Sequence, residues 1–403
     1  MDSGDAPLFA PRQRSDPSPS GHRESMYAFL DRVDSVYWAR VRDLLNDWFS
    51  RLPCGMRDDV SARWRSGDNG QAQAAFWEMY LFEAHRRAGY EVEPHPEIAG
   101  EDKRPDFLVT RREDGASFYL EATMASRWSD ADAADERRRR AIFERIDTAL
   151  DSPNFFLEIR FEREGAELPS DVELVRPLSA WLQTLDPDEV GERLKAASRL
   201  AKIPMCVVEA RGWIIRLRAV PKKVEARGGT GRPLGVFPGK AGVVDEQAPI
   251  VSALRRKATR YGELDRPYVV AVLVDRVFAD EEDVAEALFA KVQLALDGES
   301  QLLSGEPMRE PQSLWRRGNT PRNTRVSAVL SAIHLSSHVV ARSMPRLWHN
   351  PWARRPIEVD LPWPATMVDL STGEMTRSGA HVEPLRLPAD WPGPEEPFPR
   401  HRR

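Results

Sequence analysis

Apolar residues recur along the chain with two different periods, and each period predicts a different kind of element. Between Glu24 and Leu52 they return every three or four residues, which is typical of an amphipathic helix. The same spacing predicts a second helix over residues 71–88, with Gly89 as its C-terminal cap. Short apolar runs bounded by turn residues then predict three strands, at 90–94, 105–110 and 117–125.

Helices and strands continue to alternate after residue 126. The predicted elements are a charged helix at 131–151, a strand at 154–162, helical segments within 166–205, a strand pair at 206–220, a helix at 250–262, an apolar strand at 268–274, a helix at 281–297 and a strand at 325–335. Such alternation is typical of an α/β fold with a central mixed sheet flanked by helices.

The composition of each segment predicts how the chain is divided. Pro, Ser, Asp and Gly dominate residues 1–22, which predicts disorder. Residues 23–70 form a predicted N-terminal helical segment, and the predicted core covers 71–275. The remaining residues, 276–403, form a predicted C-terminal extension whose Trp- and Pro-rich tail we expect to be poorly ordered.

The composition of the whole chain excludes several classes of protein. A net charge of −5 excludes a uniformly basic nucleic-acid binder, so any nucleic-acid contact must come from a local patch. The two cysteines, Cys54 and Cys206, form neither a C-x-x-C zinc site nor a disulfide framework, which favours a reducing, cytoplasmic setting. The sequence shows no secretory leader and no apolar run of the ~18–20 residues that cross a bilayer, so no membrane partner is predicted.

Three acids of the predicted core occupy positions that suggest chemistry. Glu78 lies within a helix that is apolar on nearly every side, where an unpaired carboxylate is costly; a narrow solvent-facing stripe is the alternative explanation. Asp106 follows a proline at the start of an apolar strand, where a turn-capping aspartate is the ordinary interpretation. Glu121 lies on the strand face that it shares with Thr123.

Strand parity places Asp106 and Glu121 on the same side of the predicted hairpin. Two neighbouring carboxylates repel each other unless a cation lies between them, and hard divalent ions such as Mg²⁺ or Mn²⁺ take oxygen ligands of this kind. We therefore predict that Asp106 and Glu121 bind a metal ion, with Glu78 supporting a second ion or a water. A metal ion in such a site can activate water for attack on a phosphodiester.

The order of these acids resembles the PD-(D/E)XK nuclease superfamily, which includes many restriction and DNA-repair endonucleases. The resemblance lies in the helix glutamate Glu78, the Pro105-Asp106 pair and the strand motif Glu121-x-Thr123. It implies a restriction-endonuclease-like core of helix, three strands, helix and strand, which the predicted elements match over residues 71–162. It also implies a Mg²⁺-dependent endonuclease activity on DNA, with the three acids as the metal-handling residues.

The sequence departs from this family at Thr123, because the family pattern has a lysine at that position. A threonine hydroxyl supplies no positive charge to orient a water or stabilise a phosphate. Lys257 is the predicted replacement, since it flanks the apolar stripe of a helix that leads directly into a buried strand; a solvated helix lysine is the alternative. The stripe consists of Ile250, Val251, Leu254, Ala258 and Tyr261. In that arrangement residues 163–249 are an insertion, and 250–274 replace 131–162 as the closing helix and strand.

A basic stretch at 211–240 suggests a second contact with nucleic acid. It contains eight basic residues against one acid, and its glycines are typical of a loop that grips phosphates, although a solvated flexible loop fits equally well. A second function therefore stays open beside the nuclease: a catalytically inactive nuclease-fold protein that binds nucleic acid or a protein partner. The sequence also leaves a homodimer open.

Overall fold

The computed structural model of the chain divides into two compact units. The first unit contains Met1–Pro19, Ser25–Arg127 and Val244–Arg403, and the second contains Ser20–Glu24 and Trp128–Val243. The structure describes residues 6–21, 23–126, 132–196, 204–228, 247–275, 279–289, 313–318, 320–370, 372, 375–378, 384–395 and 397–398.

Helices and strands alternate along much of the chain. The helices are α1 (Met26–Arg32), α2 (Val36–Ser50), α3 (Cys54–Arg65), α4 (Asn69–Arg87), α5 (Asp132–Ala149), α6 (Asp171–Leu182), α7 (Pro187–Ala196), α8 (Gln247–Ala258) and α9 (Glu281–Phe289). The strands are β1 (Tyr90–Pro94), β2 (Phe107–Arg111), β3 (Ser117–Ser126), β4 (Phe155–Arg163), β5 (Met205–Ala210), β6 (Trp213–Pro221), β7 (Tyr268–Asp275), β8 (Arg316–Arg317), β9 (Thr320–Pro321), β10 (Ala328–Ile333), β11 (Arg346–His349), β12 (Ala365–Val368) and β13 (Met375–Arg377).

Local sequence explains where the long helix α4 starts and stops. The Asp68 carboxylate caps its N-terminus by accepting hydrogen bonds from the backbone amides of Gly70 and Gln71. Gly89 follows its last turn with a φ of 93°, a left-handed conformation that glycine adopts without a Cβ clash. The helix predicted over 71–88 and its glycine cap are therefore confirmed.

An eight-stranded mixed sheet lies at the centre of the first unit, in the order β1-β2-β3-β7-β10-β11-β12-β13. Strands β1 to β3 form an antiparallel meander, whereas β7 runs parallel to β3 and β10 runs parallel to β7. Helices α1 to α4 share a hydrophobic core with Leu120 on one face of β3, and α8 and α9 share another with Tyr119 on the opposite face. The predicted α/β fold, a central mixed sheet flanked by helices, is confirmed.

Alternation along β3 decides which helical layer covers the candidate site. Because successive strand residues point to opposite faces, Glu121 projects, like Tyr119, towards the layer of α8 and α9.

Among the helices that the structure describes, none is long and apolar enough to cross a membrane.

The second unit interrupts the first between β3 and α8. Its three strands form an antiparallel sheet in the order β4-β6-β5, whose apolar face packs with side chains of α5, α6 and α7. The strand pair predicted at 206–220 is confirmed. Because β4 belongs to this sheet, the insertion starts near residue 128, and the start predicted at 163 is wrong. The helix and strand that follow β3 in the first unit are α8 and β7, as the placement of Lys257 requires.

Composition predicts a disordered segment before α1, but two residues of the described part, 6–21, are buried. Leu8 and Phe9 are buried, and the ring of Phe9 stacks on Tyr27 at a centroid distance of 5.2 Å. The Asn46 amide holds the backbone of Phe9 with two hydrogen bonds of 2.9 Å. Two apolar side chains in a polar segment are enough to anchor it, so the predicted disorder is wrong for residues 6–21.

Four strands within residues 276–403, β10 to β13, belong to the central sheet, so this part of the chain is not a separate extension. Their strand β10 is the parallel neighbour of β7, which confirms the strand predicted at 325–335 and corrects the boundary predicted at residue 275. Trp391 is buried, and the ring of Phe398 lies 6.1 Å from that of Phe29 in α1. The poorly ordered tail is therefore a wrong prediction for these two residues.

Candidate functional site

Asp106 and Glu121 face each other across the β2–β3 hairpin. Phe107 pairs with Leu120, so the residue before Phe107 lies opposite the residue after Leu120. The two acids are joined through backbone amides: Glu121 Oε2 accepts from Asp106 N at 3.3 Å, and Asp106 Oδ2 accepts from Ala122 N at 2.6 Å. Strand parity therefore predicts their placement correctly.

Glu121 is fully buried, with 0% of its side chain exposed, and it has three polar partners on the α8 side. Lys257 Nζ lies 2.6 Å from Oε1 and donates to it. The Tyr261 hydroxyl lies 2.6 Å from Oε2, and the Arg260 Nε lies 3.5 Å from Oε1. A buried carboxylate needs cations and donors of this kind to offset the loss of water.

Helix α8 brings Lys257 to Glu121 because its apolar stripe packs on the face of the sheet that carries Glu121. Ile250, Leu254 and Ala258 are buried in that layer, which leaves Lys257 at its edge, with 19% of its side chain exposed. The Tyr268 hydroxyl donates to the Lys257 carbonyl oxygen at 3.0 Å and holds the end of the helix against β7. The structure thus places Lys257 beside Glu121; whether it acts as the missing family lysine stays a prediction.

Tyr261 is a residue of this site that the sequence predicts only as an apolar contact. Its hydroxyl is also 2.9 Å from the carbonyl oxygen of Arg104. A phenol has one proton, and a hydrogen bond to a charged carboxylate is the stronger of the two. Burial and the hydrogen bond to Glu121 raise the pKa of Tyr261, so it remains a donor at neutral pH. The i, i+4 spacing from Lys257 is the signal that could have found it.

Asp106 carries the most strongly perturbed carboxyl group of the site. Burial, followed by the neighbouring charge of Glu121, raises the pKa of Asp106 to about 7. Lys257 acts in the opposite direction, and Glu78 adds a smaller increase. Asp106 therefore keeps its proton to a higher pH than an ordinary aspartate does.

Glu78 has a different partner from the other two acids. It belongs to α4, in the helical layer on the opposite face of the sheet, and its carboxylate accepts from both terminal nitrogens of Arg63, at 2.8 and 2.5 Å. Its side chain is 18% exposed, so it is only partly buried. The structure records no hydrogen bond between Glu78 and either of the other acids, although the charge of Glu78 contributes to the raised pKa of Asp106.

Two carboxylates, Asp106 and Glu121, are the groups of this site that could hold a metal ion. Within the described part of the chain, no cluster of three or more His, Cys, Asp or Glu side chains suits a metal ion. Mg²⁺, however, is bound in many proteins through one or two carboxylates, with waters as its remaining ligands. Asp106 and Glu121 supply carboxylate oxygens of that kind, although both Glu121 oxygens already accept hydrogen bonds from Lys257 and Tyr261.

The basic stretch at 211–240 is described only as far as residue 228. In that part Arg211 pairs with Glu173, Arg216 with Glu162 and Arg218 with Glu158. Lys222 is buried and donates to the carbonyl oxygen of Ser152. These side chains are engaged within the second unit and do not form an unpaired basic patch. Residues 229–240 lie outside the described residues.

A scan of protein-family models matches no family, and searches of curated proteins and of solved structures find no similar protein.

Proposed function

We propose that this chain is a metal-dependent nuclease that hydrolyses phosphodiester bonds in DNA and is built on a restriction-endonuclease-like core. The observation that carries the proposal is the contact of Lys257 with Glu121 at 2.6 Å, beside Asp106. Strand β3 has Thr123 where the resembled family has a lysine, and Lys257 of α8 supplies a positive charge at Glu121 instead. Two carboxylates and one ammonium group at one point are the groups that the proposed chemistry requires.

In this mechanism Asp106 and Glu121 would hold one Mg²⁺ or Mn²⁺ ion. When bound, such an ion supplies an activated water and stabilises charge on the phosphate. Tyr261 keeps the Glu121 carboxylate oriented, and Lys257 places a positive charge next to it, where it can hold a water or a phosphate oxygen. Glu78, bound to Arg63, adds negative charge from the opposite layer.

The catalytically inactive binding protein is favoured by one specific observation. Both oxygens of Glu121 already have donors, Lys257 on one and Tyr261 on the other. A carboxylate satisfied in this way can serve as a structural ion pair that only joins α8 to β3. On this alternative the fold binds nucleic acid or a protein partner and cleaves nothing.

Cleavage assays separate the two functions. Labelled plasmid and single-stranded DNA are incubated with Mg²⁺ or Mn²⁺ and the wild-type chain, Asp106→Ala or Glu121→Ala, with Asp114→Ala as a surface control. The nuclease proposal expects metal-dependent cleavage that both site variants lose, by at least about a hundredfold, and that the control retains. Wild-type protein that cleaves neither substrate with either metal would refute the proposal and support the inactive alternative.

A further inference from the structure

The turn after α8 brings a second cation close to Glu121. Arg260 lies three residues beyond Lys257, and its Nε is 3.5 Å from Glu121 Oε1. This separation is longer than the 2.6 Å of the Lys257 contact, and 40% of the Arg260 side chain is exposed. Arg260 is therefore attracted by the carboxylate without forming a hydrogen bond to it.

The other cations around the acids are already engaged. Lys257 donates to Glu121, and Arg63 uses both terminal nitrogens on Glu78. No described residue accepts a hydrogen bond from the Arg260 guanidinium. Its in-plane N–H donors remain available to a ligand, and guanidinium donors match the oxygens of a phosphate in pairs.

The Arg260 guanidinium lies over the ring of the next residue, Tyr261. Arg260 Cζ lies over the ring, 5.8 Å from its centroid. Such a cation–π contact restrains the guanidinium beside the ring. The turn itself is held, because Arg260 N donates to the Lys257 carbonyl at 3.1 Å and Arg325 donates to the Tyr261 carbonyl. Arg260 is thus partly pre-organised before any ligand binds.

We propose that Arg260 binds a backbone phosphate of the nucleic acid at this site. The inference rests on the proposed function for the identity of its ligand, a phosphodiester chain. Asp106, Glu121 and Glu78 repel a polyanion, so a substrate needs a cation whose donors are still free. Arg260 is the cation beside Glu121 that meets this condition, and its fork can take two oxygens of one phosphate.

Binding measurements with the full-length chain test this inference independently of cleavage. The variants Arg260→Ala and Arg260→Lys are made in the Asp106→Ala background and titrated with labelled DNA duplex and single strand, without divalent metal, over a series of salt concentrations. Arg256→Ala is the matched control, because Arg256 is an exposed arginine of α8 with no contact to the acids. Far-UV circular dichroism checks that each variant is folded.

We expect Arg260→Ala to weaken binding roughly tenfold. For duplex DNA, the slope of the logarithm of the binding constant against the logarithm of the salt concentration should become shallower by about 0.9, since one phosphate contact is lost. Arg260→Lys should keep the salt dependence but lose part of the affinity, because lysine lacks the paired donors, and Arg256→Ala should change neither. In the otherwise wild-type chain, Arg260→Ala should raise KM more than it lowers kcat.

The inference would be overturned if Arg260→Ala bound DNA as tightly as its parent. It would also be overturned if Arg256→Ala lost as much affinity as Arg260→Ala, or if no form bound DNA. The two proposals fail separately. A chain that binds through Arg260 but never cleaves would contradict only the nuclease. A chain that cleaves normally, with an affinity indifferent to Arg260, would contradict only the phosphate contact.

Discussion

Replacing Asp106 by asparagine should remove a pH-dependent destabilisation of the first unit. In the folded chain the pKa of Asp106 is about 7, because the group is buried beside Glu121. In the unfolded chain an aspartate titrates near 3.9. Between about pH 4 and about pH 7, therefore, Asp106 keeps its proton in the folded state but has lost it in the unfolded state. The free energy of unfolding of wild type consequently falls as the pH rises from about 4 to about 7.

The size of the effect follows from the difference between the two pKa values. About three units at 1.36 kcal/mol each give a loss of at most about 4 kcal/mol by pH 8. Asp106→Asn carries no charge, and its side-chain oxygen can still accept from Ala122 N. The variant should therefore lie within about 1 kcal/mol of wild type near pH 4.5 and exceed its free energy of unfolding by about 2–4 kcal/mol at pH 8.5.

Urea denaturation in EDTA, followed by tryptophan fluorescence at pH 4.5, 7 and 8.5, measures this difference. Asp114→Asn is a suitable control: a hydrogen bond from Arg111 lowers the pKa of Asp114 to about 2, so its folded and unfolded values both lie below the tested range. Its difference from wild type should stay constant with pH. A difference for Asp106→Asn that is equally constant would show that this carboxyl is not buried beside a second acid.

Two further changes test other contacts. Lys257→Met should lower the free energy of unfolding by about 3 kcal/mol, because Glu121 is left buried without its closest cation. Adding Glu121→Gln should restore most of that loss. Both variants are compared by urea denaturation, and purely additive effects of the two substitutions would contradict the pairing. Phe9→Ala should cost about 3 kcal/mol, since the ring is 1% exposed between Tyr27 and Trp64. An unchanged melting temperature would mean that the segment before α1 is not packed.

The sequence predicts the candidate pair of acids well because the information is local. The hairpin fixes the register of β2 and β3, and a period of two then places Asp106 and Glu121 on one face. Lys257 is predicted from a different pattern, a helix whose stripe leads into a continuously apolar strand. Such a strand is buried on both faces and so belongs at the centre of a sheet, as β7 does.

Other features depend on information that a local pattern lacks. Both β4 and β7 follow a helix, and both sequences predict a strand. Only the strand pairing in the structure shows that β7 pairs with β3, whereas β4 belongs to another sheet. Tyr261 looks like one more member of an apolar stripe, because its ring is buried; its role at Glu121 depends on where the hydroxyl points. Phe9 is missed because composition averages over a segment, whereas anchoring depends on single side chains.

The insertion of the second unit between β3 and α8 sets the order in which the molecule can assemble during synthesis. The β1–β3 meander pairs neighbours in sequence and can form as soon as it leaves the ribosome. The edge of β3 that pairs with β7 then stays unpaired until residues Trp128–Val243 and β7 have been synthesised. Closing so long a loop is less costly when the intervening chain has already folded. We therefore expect substitutions that destabilise the second unit to lower the yield of folded protein and to expose an aggregation-prone strand, without touching any residue of the candidate site.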